Sequence, residues 1–186
     1  MGHPILQQRA EEIEDPKSPE TQKIIQDMID TLDDFGPVAG LAAPQVYISK
    51  RIIFYEVPKE RADNYTPEGV PPTFLINPVL EPLGEEKELG WEACLSLPDV
   101  MGEVPRYNHI RCTAFNQAGE KVDFEAKGFH ARVLQHECDH LDGILYPMRM
   151  TDMSRFSAMA EIMRYVRSKE MQEKEQASQS QTNDAA

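Results

Sequence analysis

The stretch Gln135-His136-Glu137-Cys138-Asp139-His140-Leu141 decides how the rest of this chain is read. On an α-helix, residues four apart stand one turn above each other, so His136 and His140 can present two imidazoles to one cation. Glu137, one step round from His136, can reach water held at that cation. The pattern predicts a helix over 129–141 that stops at Gly143. Catalytic sites of the zinc kind take three protein ligands and keep a fourth position for water, so a third donor is needed. No His or Cys follows His140, and the nearest downstream carboxylates, Asp142, Asp152 and Glu161, do not form the extended His-Glu-x-x-His-x-x-Gly-x-x-His pattern. The other candidate is upstream, Cys94 in Glu92-Ala93-Cys94-Leu95-Ser96. On spacing alone, both a zinc peptidase completed by a carboxylate and a centre completed by Cys94 stand open.

Working outward, Ser18-Pro19-Glu20 supplies an N-cap and a proline at the first helical position. Ile25, Met28, Ile29, Leu32 and Phe35 follow at helical spacing, which predicts a helix over 19–35 stopped by Gly36. Residues 37–47 are small and apolar without helical period and read as a loop or edge strand. Residues 51–57 and 73–80 read as strands, separated by a proline-rich excursion over 58–72. Residues 109–115 and 121–125 read as a hairpin around Asn116-Gln117-Ala118-Gly119. A last helix is expected from near 152 to 169, with Met153, Phe156, Ala160, Met163 and Val166 on its buried face. The Gln-, Glu- and Ser-rich 171–186 reads as a disordered tail beyond a single domain over 1–170. Strands joined by short turns with helices at the beginning and end give an α+β class.

The chain has 186 residues, 40% hydrophobic and 27% charged, the composition of a soluble globular protein. No apolar run reaches the roughly 20 residues of a membrane span, and no export signal opens the chain, so it reads as cytoplasmic. A net charge of −13 disfavours direct nucleic-acid binding. Three cysteines argue against a disulfide framework. Cys112 and Cys138 read as packing, and His109 and His130 as structural or surface residues. Trp91 reads as packing beneath the segment that bears Cys94. Glu92 and Arg106 could form an ion pair bracing that segment, or stand as separately solvated charges.

Three segments in order, Gly40-Leu41-Ala42-Ala43-Pro44-Gln45, Glu92-Ala93-Cys94-Leu95-Ser96 and Gln135 to Leu141, resemble the motifs of the peptide deformylases. The opening Gly2-His3-Pro4-Ile5-Leu6 is similar to that family's start, so the likeness spans roughly residues 2–150. The resemblance implies antiparallel sheets packed around the helix that carries His136 and His140. It implies that Cys94, His136 and His140 bind one divalent metal, and that Glu137 is the general base and acid. It gives the Leu95 backbone N–H and the Gln45 amide to an oxyanion hole, and Gly40 and Leu41 to the substrate wall. The implied substrate is an N-formylmethionyl peptide, with a transient contact with the ribosome. The implied ion is Fe2+, with Zn2+, Ni2+ and Co2+ also compatible with this donor set. Two positions depart from the family pattern: Val38 and Ala93 each stand where glycine is usual. A β-branched residue rarely takes positive φ, so Val38 requires ordinary backbone there or a shifted loop. With these departures, a member that keeps the metal only as a structural staple is the non-catalytic alternative.

Overall fold

The computed structural model describes residues 1–165 and 168. Helix α1 (Pro19–Phe35) starts where Ser18 accepts a hydrogen bond from the Thr21 N–H, and it ends at Gly36, whose φ of 84° few side chains would tolerate. Strands β1 (Gly40–Ala42), β2 (Ile52–Val57), β3 (Val70–Pro82), β6 (His109–Phe115) and β7 (Lys121–Lys127) form an antiparallel sheet in the order β1-β2-β3-β6-β7. Strands β4 (Lys87–Cys94), β5 (Leu97–Tyr107) and β8 (Phe156–Ala158) form a second, in the order β4-β5-β8. Helix α2 (Gly128–Leu141) touches both sheets. The class is α+β, as the sequence pattern indicates.

Strand β2 shows why its residues form an unbroken apolar run. Ile53 and Tyr55 point to one face and pack with Leu134, Cys138 and Leu141 of α2. Ile52 and Phe54 point to the other and pack with Ile25 and Met28 of α1. Alternating side chains are thus buried on both faces. Cys112 and Cys138 lie in the first of these clusters as packing, and His130 is stacked between Tyr55 and Phe124 at ring separations of 5.2 and 5.7 Å. His109 pairs with Glu125 at 2.7 Å.

The C-terminal segment departs from its expected helix. Asp152 accepts a hydrogen bond from the Ser154 N–H and caps a short turn, Met153–Arg155, after which β8 pairs with β5 through Ala158 opposite Val100. Phe156 packs against Tyr146, and helical backbone begins only at 159. Met153 and Met163 are exposed rather than part of a buried stripe. The partner strand lies over fifty residues away, so local period carried no sign of the pairing. Val166 and the tail 171–186 lie outside the described residues.

Asp63, in the proline-rich excursion, anchors the start of α2. One carboxylate oxygen accepts from the Phe129 N–H at 3.1 Å and the other from Tyr65 and Thr66. Helix α2 has no cap from its own flanking residue Lys127, so this distant carboxylate supplies one. Replacing Asp63→Ala is expected to lower stability by about 1 kcal/mol. A urea titration showing a shifted midpoint at unchanged slope checks this.

Candidate metal centre and active-site cleft

The ligand atoms of Cys94, His136 and His140 lie within 4.8 Å of one another, although 42 residues separate the first two in the chain. The Cys94 sulfur is 3.2 Å from His140 Nε2. Two elements create this convergence: α2 stacks the imidazoles one turn apart, and the end of β4 brings the sulfur to them. Among the described residues this is the one group of such donors close enough to share an ion. The downstream carboxylates are engaged elsewhere. Asp142 pairs with Arg51, Asp152 caps the Ser154 turn, and Glu161 pairs with Arg164. A thiolate and two imidazoles are donors that a divalent transition metal accepts readily, so the residues fit such an ion.

Glu92, on β4, orients the first imidazole. Its carboxylate takes two bonds from Arg106 at 2.9 Å each, one from Arg132 at 2.9 Å and one from His136 Nδ1 at 2.8 Å. Burial alone would raise the Glu92 pKa, but the Arg106 and His136 hydrogen bonds outweigh it and hold the group down at about 2. An ionised acceptor makes His136 Nδ1 the donor, which leaves Nε2 for a metal, the arrangement that fixes a ligating histidine's tautomer. Arg106 also bonds Asp139 at 2.5 Å, and Asp139 bonds Arg149 at 2.7 Å. Of the two sequence readings for Glu92 and Arg106, the ion pair is the one present, and it is buried. Asp139, Arg132 and Arg149 join it, none of them singled out in the sequence. A carboxylate inside each of the second and third motifs, Glu92 and Asp139, was the available signal, but their partners lie on other elements.

Glu137 is buried with one carboxylate oxygen lacking a hydrogen-bond partner. Burial pushes its pKa up to about 7. Burial also lowers His140, to about 3. Gly40 explains itself here. A Cβ at that position would stand 2.2 Å from a Glu137 carboxylate oxygen, so only glycine lets β1 pass the buried carboxylate. Gln45 accepts from the Ala42 N–H at 2.8 Å through Oε1, which fixes its amide orientation. Its Nε2 then faces the Cys94 sulfur at 3.6 Å and Ser96 Oγ at 3.2 Å.

Gly40, Gln45, Cys94, His136 and Glu137 line a cleft of about 720 Å³, with His140 buried behind them. Leu95 follows Cys94 in the β4–β5 turn and lines it too, while the Leu41 side chain is buried in the α1 cluster, leaving only backbone at the sheet edge. Trp91 lines the cleft instead of packing beneath it, with Arg155 over its ring at 5.0 Å. Val38 and Ala93 are also wall residues. Among the described residues, positive φ outside glycine occurs at Tyr47, Asn77 and Asp99, so Val38 sits in ordinary backbone.

Two outcomes follow from this geometry. Because the Glu92 pKa is depressed in the fold, its contribution to stability is fully present above about pH 4.5 and is lost as pH falls toward about 2. Urea unfolding measured at stepped acid pH should therefore be steeper in pH for the wild type than for Glu92→Gln. The substitution Gly40→Ala should leave the protein folded, retain metal and reduce hydrolysis at least tenfold, read from metal content and turnover together.

The family model described as polypeptide deformylase matches residues 1–156. The chain is 47% identical over 157 residues to peptide deformylase 1 of Bordetella pertussis, covering 84% of this chain and 88% of that one. It is 48% identical over 157 residues to peptide deformylase 1 of Nitrosomonas europaea, with the same coverage. Among solved structures, peptide deformylase from Ehrlichia chaffeensis superposes with a TM-score of 0.73 at 29% identity, covering 93% of this chain and 95% of that one. The class I type b peptide deformylase from Acinetobacter baumannii, bound to Met-Ala-Ser, superposes with a TM-score of 0.70 at 34% identity, covering 81% and 94%. With a family match over most of its length and relatives near half identical, the chain belongs to the peptide deformylase family of metal-dependent hydrolases.

Proposed function

We propose that this chain removes the formyl group from the N-terminal formylmethionine of newly made polypeptides, using Cys94, His136 and His140 to hold the metal and Glu137 to move the proton. The observation that carries this assignment of roles is the buried Glu137 carboxylate beside the Cys–His–His cluster, at the floor of an open cleft. A divalent ion held there supplies Lewis acidity and lowers the pKa of its water from 15.7 toward about 7.

Glu137 accepts the proton of the attacking water as its oxygen bonds to the formyl carbon. Gln45 Nε2 and the Leu95 N–H donate to the oxygen that gains charge; one such donor is worth about 3–4 kcal/mol in other enzymes. Glu137 then gives its proton to the amine nitrogen as the C–N bond breaks, releasing formate and a free N-terminus. A carboxyl near neutrality suits a group that must both take and return a proton.

The cleft also suits an extended peptide. Strand β1 ends one sheet and β4 ends the other, and Gly40, Ala93 and Cys94 from these two edges line it. Edge strands offer unpaired backbone groups to an added strand. The A. baumannii relative holds Met-Ala-Ser, and this chain is assigned peptides of the same class. We assign Fe2+ as the working ion, with Zn2+, Ni2+ and Co2+ as substitutes that the same donors accept. We place the reaction in the cytoplasm, with transient contact with the ribosome; no described helix is long and apolar enough to cross a membrane.

Protein purified without oxygen should carry about one divalent ion and release formate from a formyl-Met peptide. Glu137→Gln should keep the ion and lose at least a hundredfold in kcat, whereas Cys94→Ala should lose both ion and activity. Formate release undiminished in Glu137→Gln would remove that residue from its role. A Cys94→Ala protein that keeps its metal would end the ligand assignment.

A further inference from the structure

Helix α2 lies between two cavities. Phe129, Arg132, Val133 and His136 line the cleft already described. Gln135, Cys138, Asp139 and Asp142, three and four residues apart, line a second cavity of about 700 Å³ on another face of the helix. It opens against β3 and the end of β5 and is bordered by 148–151. Gln135 ties α2 to β5 beside it, accepting from the Tyr107 N–H at 3.0 Å and donating to the Tyr107 carbonyl at 2.8 Å.

The charge of this second cavity runs against that of the chain. The net charge is −13, yet the lining carries Arg9, Arg51, Lys87, Arg106 and Arg149 against the carboxylates of Asp139 and Asp142. Arg106 is spent on Glu92 and Asp139, and Arg149 on Asp139. Arg9 and Lys87 have no carboxylate partner among the described residues; Lys87 Nζ instead stands 4.5 Å from the Tyr107 ring centre. Glu86 and Glu88, its neighbours in the chain, do not line the cavity.

Arg51 adds a donor that is already held in place. It is 7% exposed, and Nη1 alone makes its hydrogen bonds, to the Leu141 carbonyl and the Asp142 carboxylate. Among the described residues, Nε and Nη2 have no partner, and neither is sealed from solvent. A fixed guanidinium with unused donors at a cavity wall is suited to an oxyanion. Apolar surface borders it, since Val79 and Met148 line the same cavity and stand exposed.

We propose that this second cavity binds a small organic phosphate. Arg9, Lys87 and the free side of Arg51 hold the phosphate, and the body of the ligand rests on Val79 and Met148. A phosphate monoester carries close to two negative charges at neutral pH, which matches the two uncompensated cations better than a single carboxylate does. The volume is that of ordinary small-molecule sites. The inference stands apart from the reaction assigned to the other cleft.

Phenyl phosphate tests it on metal-loaded protein with isotope-labelled methionine methyl groups. Met148 and Met150 line the second cavity and Met159 the first, so their signals show where the probe sits. Phenyl phosphate should move the Met148 and Met150 signals saturably, with a Kd of about 1 mM or below, and phenol should need at least about tenfold more. Arg9→Gln combined with Lys87→Gln should weaken phenyl phosphate about tenfold, whereas Arg9→Lys with Lys87→Arg should stay within about threefold of the wild type. These side chains are exposed, so circular dichroism should be unchanged in both pairs. Shifts at Met159 alone would place the probe at the metal and overturn the site. Equal affinity for phenol, or an unchanged affinity in the glutamine pair, would overturn it as well.

Discussion

The ion cluster around Glu92 is the constraint on which the centre depends. One buried carboxylate on β4 is gripped by Arg106 from β5 and by Arg132 and His136 from α2. It therefore joins the sheet that delivers the sulfur to the helix that delivers the imidazoles. Such a cluster is a poor source of net stability, because removing charges from water offsets most of the attraction. Its value is geometric. The placement of β4 against α2 that satisfies these donors is also the one that sets Cys94 beside His140. Breaking one member strands a buried charge, which in other proteins costs about 3–5 kcal/mol. Asp139 extends the same lock from Arg106 to Arg149, tying the segment after α2 to the centre.

Close approach is the second constraint. The buried Glu137 lies against the α-carbon of Gly40, so the strand passing over it has room for no side chain. The same burial that demands glycine raises the Glu137 pKa, which is the property a proton shuttle needs. Packing and chemistry are here one fact seen from two sides. Val38 and Ala93, where glycine is usual in the resembling motifs, both line the cleft, Ala93 directly before Cys94 in the chain. Their side chains narrow the space a substrate passes through and leave the donor set unchanged.

Much of the framework could be read from the chain itself. The first helix appeared with its start and stop because Ser18, Pro19 and Gly36 act through neighbours within a turn. Strands β2, β3, β6 and β7 appeared because their apolar runs are local. The hairpin β4–β5 did not, since Gly90, Pro98, Gly102 and Pro105 interrupt it and the residue it buries most deeply on β4 is the charged Glu92, yet it carries the sulfur assigned to the centre. Strand β8 was mistaken for helix because its identity comes from β5, far along the chain.

The sequence by itself determined the helical pairing of His136 with His140, since a separation of four residues fixes their geometry wherever the helix lies. It also left the choice between Cys94 and a downstream carboxylate to the resemblance with known motifs. Tertiary structure alone decided that Glu92 and Arg106 are a buried pair joined by Arg132 and Asp139, and that Trp91 faces the cleft. The reason is physical: burial and charge pairing depend on distances through space, which chain order does not encode until strands and helices have packed.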